Sequence, residues 1–573
     1  MADAQLAEHP AEHSAVNAVG EKQAASTALP KCPQDETSAT VAKDDGQNYE
    51  YVTGFKLAII VASVALACFL MLVDTMVIST AIPRITDEFR SLTDVGWYAS
   101  AYQFGIAAPQ PLIGKVYTHF STKWTFLACF AVFELGSVLC GAALSSTMLI
   151  VGRAVAGLGA AGIINGAITI VSSCAPLEKR PIQQLGLVVG PLIGGALTSY
   201  STWRWSFYIN VPIGAVVALA ITLLPIPEQT PKEPPLSVLP QLHHHLDLVG
   251  FVLFAPAVIQ LLLALQYAGN QFPWNSSQVI GLFCGSAATC AVWFLWNGRK
   301  GDAALLPPAM VSRRTVWTAA VFNAFQMAAI YGVLYYLPIY FQAVKDTSPV
   351  LSGVYIMPTF LTQLLMAGIS GGILQKMGYV IPLAIFATVL LSIGTGLLSI
   401  LGSESSTGQW IGFQILTGVG SGAGLQLAII AIQGVTAGEE LSSGMAFMVF
   451  TQSLFPAVLL ALCNLILVES LKKQLTSQAV GALSGESAEA VIRAGATRFR
   501  TVIAPKELQV VLRAYANSID RVFYVVAVVA AVSSLFLWGM GWQDLRKKKD
   551  GAHPGKVVMG DSASPSPEGE GKA

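Results

Sequence analysis

Residues 148–171 read MLIVGRAVAGLGAAGIINGAITIV, an apolar stretch with one charge, Arg153, and a run of small residues. About 20 apolar residues suffice for a helix to cross a hydrocarbon core, so the stretch predicts a membrane-spanning helix. A charge at bilayer depth costs at least about 2.5–3.5 kcal/mol on insertion scales, which drives Arg153 toward a bundle interior or a water-filled cavity and marks it as functional. The bland alternative is that it snorkels to the cytoplasmic interface. Gly157, Gly159, Ala160, Ala161, Gly162 and Gly166 strip bulk from the helix and let neighbouring helices approach closely.

Composition points the same way. Of 573 residues 54% are hydrophobic and 12% charged, against about 25% charged in ordinary soluble domains. Net charge is zero, and no zinc spacing, basic stripe or recognition motif suggests nucleic acid as a partner. The eight cysteines are scattered, mostly within apolar segments, and read as small core residues without a disulfide framework or metal site. No GxxxxGK[ST] phosphate loop occurs, which argues against an ATP-driven pump. No enzyme activity, catalytic residue or cofactor is expected.

Residues 1–54 are polar and predict a disordered tail, too polar for a signal peptide, so the first span is expected to serve as an uncleaved anchor. Apolar runs of spanning length fall near 57–80, 95–117, 124–144, 148–171, 182–200, 205–225, 247–268, 277–297, 315–341, 351–374, 380–401, 409–433, 442–468 and 520–542, fourteen in all. An even number puts both tails on one side. With the tails inside, short inner loops and the C-terminal tail hold fourteen basic residues and the short outer loops four, so the positive-inside rule makes the tails cytoplasmic. Asn275-Ser276-Ser277 then lies outside as a glycosylation sequon.

The first span carries one acid, Asp74, in FLMLVDTMVISTAIP, and the third carries Glu134 in VFELGSVLCGA. A buried carboxylate that can take up a proton is what a reversible proton carrier needs. The structural alternative is that Asp74 caps a helix break before Pro83 through Thr75 or Ser79. Two acids and Arg153 within the first four spans place ion coupling in the N-terminal half, with Asp74 and Arg153 expected to meet across a wet cleft. Gly114–Trp124, GKVYTHFSTKW, forms a short basic inner loop, and in span five Gly186, Gly190 and Gly194 recur every four residues and line one helical face. Pro191 kinks that helix, and Gly194 with Gly195 admits a partner.

LVDTMVISTAIPRI, GKVYTHFSTKW, VGRAVAGLGAAGIING, GPLIGG and TWRWSFYINVPIGA together resemble the fourteen-helix drug:proton antiporter branch of the major facilitator superfamily, and within it the fungal toxin and multidrug efflux carriers of the aflatoxin and HC-toxin exporter type. The resemblance covers about residues 55–542. It implies two six-helix bundles with two additional linker helices: 55–225 for the first bundle, 226–310 for the linker and 311–542 for the second, with an extracellular loop at 469–519 and a second cytoplasmic tail at 543–573. It also implies that Gly186, Gly190, Pro191, Gly194 and Gly195 form the antiporter motif, that Gly114, Lys115 and Lys123 belong to the inner loop gate, and that Arg153 and Asp74 take part in proton coupling, with Glu134 beside them. An internal echo supports two bundles independently: Arg153, Gly157 and Gly159 match Gln414, Gly418 and Gly420, each set following Ser-Ser-Thr.

Two departures stand out. Thr118, His119 and Ser121 occupy places where the superfamily loop has an acid and a glycine, which weakens the usual inner charge relay. Span five is also short. From Arg180 the chain reaches Gly190 in ten residues, where related carriers have roughly ten more; about 16 residues from Leu185 give about 24 Å against a core of about 30 Å. This predicts a truncated fifth helix, as in a splice or gene-model variant. Inserting an apolar segment between Gln184 and Leu185 is expected to raise drug resistance in an efflux-deficient host, and unchanged transport would count against truncation.

Substrate lining is expected from polar and aromatic residues within apolar spans: Trp97, Tyr98 and Gln103 in span two, Asn165 in span four, Asn323, Gln326, Tyr331, Tyr335, Tyr336 and Phe341 in span nine, Gln414, and Gln452 and Phe455 in span thirteen. Packing or an interfacial belt is an equal reading for any one of them. Without a cluster of fixed charges, the cargo is expected to be a small, bulky apolar or weakly cationic molecule, exported against protons by a monomer in the lipid bilayer of the plasma membrane, a vacuole or a vesicle. Other readings are a siderophore or basic-amino-acid carrier of the same fold, and a non-transporting sensor.

Overall fold

The computed structural model describes residues 43–44, 47–48, 55–174, 202–226, 247–268, 272–301, 304–306, 308–436, 439–478, 490–492, 494 and 498–542, all in the unit Val41–Ala573. Twelve helices among these residues are long and apolar enough to cross a membrane. Two of the fourteen expected spans are not among them. The fifth, with Gly186, Gly190, Pro191, Gly194 and Gly195, lies outside the described residues. The second, 95–117, is a correction: it forms two helices, α2 Val95–Ala107 and α3 Gln110–His119, of 13 and 10 residues. Pro109 and Pro111 lack the N–H groups that would bond the Gly105 and Ala107 carbonyls, so the helix breaks there.

The remaining elements of the first half are α1 Phe55–Phe89, α4 Thr122–Gly141, α5 Ser146–Cys174 and α6 Asn210–Leu223, the last entered through a single turn, Trp205–Tyr208. Between the halves stand α7 Leu248–Tyr267 and α8 Ser277–Lys300. The second half runs α9 Arg314–Ala343, α10 Pro349–Tyr355, α11 Met357–Met377, α12 Val380–Leu398, α13 Thr407–Gly424, α14 Leu427–Val435, α15 Glu439–Gln478 and α16 Pro505–Val532. A two-residue antiparallel ladder, Lys43↔Asn48 and Asp44↔Gln47, occurs in the tail expected to lack structure.

Large apolar side chains cover the outside. Leu135, Val216, Leu219, Val252, Phe294, Leu295, Leu365 and Val528 are exposed, an arrangement suited to acyl chains and costly in water. The chain is a multi-pass membrane protein. Below, the end bearing Lys115, Lys123 and Arg313 is the basic end, and the opposite end is the far end.

The internal echo is a packing repeat. A Cβ added at Gly157 would fall on the Tyr102 carbonyl of α2, and one at Gly418 on the Thr359 carbonyl of α11. Likewise Gly159 abuts the Phe133 backbone nitrogen of α4, and Gly420 that of Leu391 of α12. Each half thus threads a glycine helix between two neighbours at backbone contact, a spacing only a missing side chain permits.

At the far end, Arg204 ties three elements together. It donates to Glu88 Oε1 of α1 at 2.8 Å, to the Gly141 carbonyl at 3.0 Å and to the Ala143 carbonyl, while stacking on Trp203. The segment 469–519, whose amphipathic piece KELQVVLRAYANS predicts a short helical cap, is helical where α15 and α16 extend into it, to Gln478 and from Pro505. KELQVVLRAYANSI places Val511, Leu512, Tyr515 and Ile519 on one face against Leu471 and Leu475, the stripe of an amphipathic helix. Between these extensions a strap spans both halves. Arg498 donates to the Asp87 carbonyl of α1 at 2.9 Å, and Arg500 donates to the Ala343 carbonyl of α9 at 2.9 Å and pairs with Asp346 at 3.3 Å. Phe499 between them is buried and stacks on Tyr515.

Candidate functional site

Close approach at Gly157 brings α5 against α2, and one turn earlier on α5 this sets Arg153 beside Tyr98 and Tyr102. Arg153 Nη1 donates to Asp74 Oδ2 of α1 at 2.5 Å, its Nε donates to the Tyr98 carbonyl at 3.1 Å, and its Cζ lies 4.1 Å from the centre of the Tyr102 ring. Both charged side chains are 0% exposed. The pair meets as expected, with both side chains enclosed by the surrounding helices. Thr75 gives its hydroxyl to the Met71 carbonyl and Thr80 to that of Val77, so the helix satisfies itself locally and leaves the Asp74 carboxylate to the guanidinium.

Taking either charge out of water alone costs several kcal/mol, and the partner offsets that cost only where geometry and further hydrogen bonds are good. Here the set is incomplete. Asp74 Oδ1 and Arg153 Nη2 have no hydrogen-bond partner among the described residues. A carboxylate with one oxygen held and one bare, within a helix bundle, can accept a proton at the bare oxygen.

The second half touches this place through α9. Tyr335 donates its hydroxyl to the Thr75 carbonyl at 3.3 Å, and Gln342 donates to the Thr80 carbonyl at 3.0 Å. Below them Tyr331 stacks on Tyr335, with ring centroids 6.3 Å apart, and is hydrogen-bonded to Gln103 of α2. Nearer the basic end Asn323 donates to Gln452 at 2.9 Å, and Phe455 packs edge-on against Phe325 at 5.1 Å. Gln103 and Tyr331 thus meet across the seam between the halves, while Asn323, Gln452 and Phe455 join α9 to α15 within the second half.

The structure places the other lining residues away from that seam or commits them to packing. Gln326 donates to Thr388 and Ser533 inside the second half. Gln414 accepts from Thr359 and donates to the Tyr355 carbonyl, bracing α13 where Arg153 braces α5. Tyr336 donates to the Leu460 carbonyl, and Phe341 belongs to an aromatic cluster with Tyr340, Tyr355 and Trp410. Tyr98 bonds Ser91 and Ser146 through its hydroxyl. Asn165 donates to the Ala161 carbonyl of its own helix, and Trp97 packs half-buried against second-half residues.

Glu134 stands apart from the pair. Both its carboxylate oxygens are buried without a partner, and a Cβ added at Gly214 of α6 would fall on Oε1. At the basic end Lys115 donates to the Ala304 carbonyl at 2.9 Å, and Lys123 closes α6 by donating to the Thr222 and Leu224 carbonyls at 2.7 and 2.8 Å. Gly114 faces the Ala446 side chain of α15 at ordinary contact. Asn275 is exposed just before α8. Beyond the spans, burial pushes the Asp94 carboxyl up, and the hydrogen bond from Ser146 at 2.5 Å opposes this. Among the described residues no group of His, Cys, Asp or Glu could hold a metal ion. Sequence reasoning missed Tyr102 as the shelf under Arg153. Its signal was its place one turn after Tyr98 on a helix that had to meet the arginine.

The Major Facilitator Superfamily profile matches residues 64–460. Among characterised proteins, the MFS-type transporter pigP of Monascus ruber is 50% identical over 519 residues, covering 89% of this chain and 90% of its own. The efflux pump mlcE of Penicillium citrinum is 43% identical over 537 residues, covering 91% and 96%. The crystal structure of a bacterial homolog to the human lysosomal transporter Spinster, inward-facing and occupied, aligns with a TM-score of 0.59 at 14% identity, over 85% of this chain and 97% of that one. At that identity the likeness is one of fold.

Proposed function

The chain belongs to the major facilitator superfamily, and from that premise we propose that it is a secondary active exporter. It moves hydrophobic secondary metabolites, toxins or drugs out by alternating access and draws protons in. The Asp74–Arg153 pair carries the reading. With Asp74 ionised the guanidinium is held and α1, α2 and α5 are locked together; a proton added at Oδ1 removes the charge that Arg153 was pairing, and the lock loosens. Glu134, with two bare oxygens against α6, is a second proton acceptor in the same half. Cargo of apolar or weakly cationic character lies among Gln103, Tyr331, Asn323, Gln452 and Phe455, where rings give area and amides fix orientation. The export direction follows the relatives named efflux pumps and the glycine-proline motif of span five. The protein resides in the plasma membrane as a monomer, with Asn275 glycosylated on its outer face.

Asp74→Asn is close to isosteric and cannot ionise. Efflux driven by a pH gradient is expected to fall at least about 100-fold, the loss of a step supplying more than about 2.7 kcal/mol, while the protein still reaches the membrane. Native-like, gradient-dependent efflux in this variant would overturn the coupling assignment.

A further inference from the structure

Proton exchange at Asp74 is an event on α1, whereas export needs the halves to move against each other, so the state of the pair must cross the seam between them. Tyr335 is placed to carry it. It is 1% exposed, its hydroxyl donates to the carbonyl of the residue after Asp74, and it lies beside the Arg153 guanidinium. One turn away on the same face of α9, Tyr331 stacks on it and bonds Gln103. The two phenols form a ladder whose first rung meets the ion pair and whose second meets the cargo seam.

We propose that Tyr335 is the positioning residue that transmits the protonation of Asp74 to the second half, an inference that rests on the coupled-export reading. While Asp74 is ionised, Arg153 Nη1 is committed to it and the Tyr335 hydroxyl to Thr75, which pins α9 against α1. A charge-assisted hydrogen bond is roughly twice as strong as a neutral one, so protonation of Oδ1 weakens the hold on the guanidinium. The Tyr335 oxygen already lies within hydrogen-bond reach of the guanidinium, and once the Asp74 charge is gone it is the side-chain acceptor left to Arg153. Tyr335 is drawn from α1 toward α5, and the α1–α9 seam loosens. The titratable groups whose charge is felt with that of Asp74 are Arg153 of α5, Tyr102 of α2, Cys140 and Glu134 of α4 and Tyr335 of α9. Of these only Tyr335 belongs to the second half.

Tyr335→Phe keeps the ring and its stacking on Tyr331 and removes the oxygen alone. Nitroxides at Leu144 and Glu404, exposed at the far end of each half, read the separation of the halves by pulsed paramagnetic resonance in lipid nanodiscs at acid and alkaline pH. They are carried on bioorthogonal side chains so that the native cysteines stay in place. In the native chain the ratio of the two distance populations is expected to change with pH, and in Asp74→Asn to stay constant. In Tyr335→Phe the pH-driven change is expected to shrink about fivefold, the factor for one ordinary hydrogen bond. Tyr340→Phe, which removes a hydroxyl bonded to the Gly402 carbonyl at 2.8 Å, is expected to respond like the native chain. A native response in Tyr335→Phe with Asp74→Asn unresponsive overturns the transmission role alone. Loss of both populations in Tyr335→Phe at every pH shows a structural role and also overturns it. Native populations that ignore pH overturn the coupled-export reading as well.

Discussion

Arg153→Ala is expected to lower the stability of the protein by about 3–5 kcal/mol, the usual cost of stripping one partner from a buried ion pair, and to abolish export. The loss has three parts: Asp74 is left as an uncompensated charge at 0% exposure, the Tyr98 carbonyl loses its donor, and Tyr102 loses the cation 4.1 Å from its ring. Thermal unfolding of the detergent-purified protein measures the first effect, and resistance conferred on an efflux-deficient host measures the second. The double replacement Asp74→Leu with Arg153→Met separates them. Apolar substitution of a whole buried pair is often neutral or stabilising, so the double variant is expected to regain most of the stability and none of the coupled export. Arg153→Ala as stable as the native protein would mean that the pair does not hold α1 to α5.

The second large effect belongs to the glycine helices. Gly159→Leu and Gly420→Leu are each expected to cost more than about 3 kcal/mol, at the upper end of overpacking penalties, because the new Cβ would meet the backbone of Phe133 or of Leu391 rather than a side chain that can move aside. Yields of monodisperse protein should collapse for both. Gly281→Leu and Gly368→Leu, where an added Cβ meets nothing within 4 Å, are expected to purify like the native chain. Equal tolerance at all four positions would contradict the backbone contact of α5 with α4 and of α13 with α12.

Asp74 and Arg153 could be found from sequence because a charge at lipid depth has few tolerable surroundings and an opposite charge is one of them. Gly157 and Gly159 with their counterparts Gly418 and Gly420 were legible for a related reason, since small residues in a spanning helix mark where another backbone arrives. The lining was harder to read. Membrane helices are apolar on every side, so no stripe says which way Phe341 or Gln414 points. Both turn out to be fixed by neighbours in their own half, Phe341 by Trp410 and Tyr355, Gln414 by Thr359 and the Tyr355 carbonyl. Pro109 and Pro111 announced the break in span two, but apolar length alone read it as continuous. Helix ends near 469–519 were set back because Lys472, Lys473 and Arg513 interrupt the apolar run; these three are exposed while Val511, Tyr515 and Ile519 face in.

The arginine strap between α15 and α16 fastens the two halves to each other at the far end. Because Arg498 grips one half and Arg500 the other, with Phe499 wedged between them, the halves cannot part at that end without tearing one handhold. Separation there costs the contacts of one guanidinium or the other, both carried by the short segment that links two long helices.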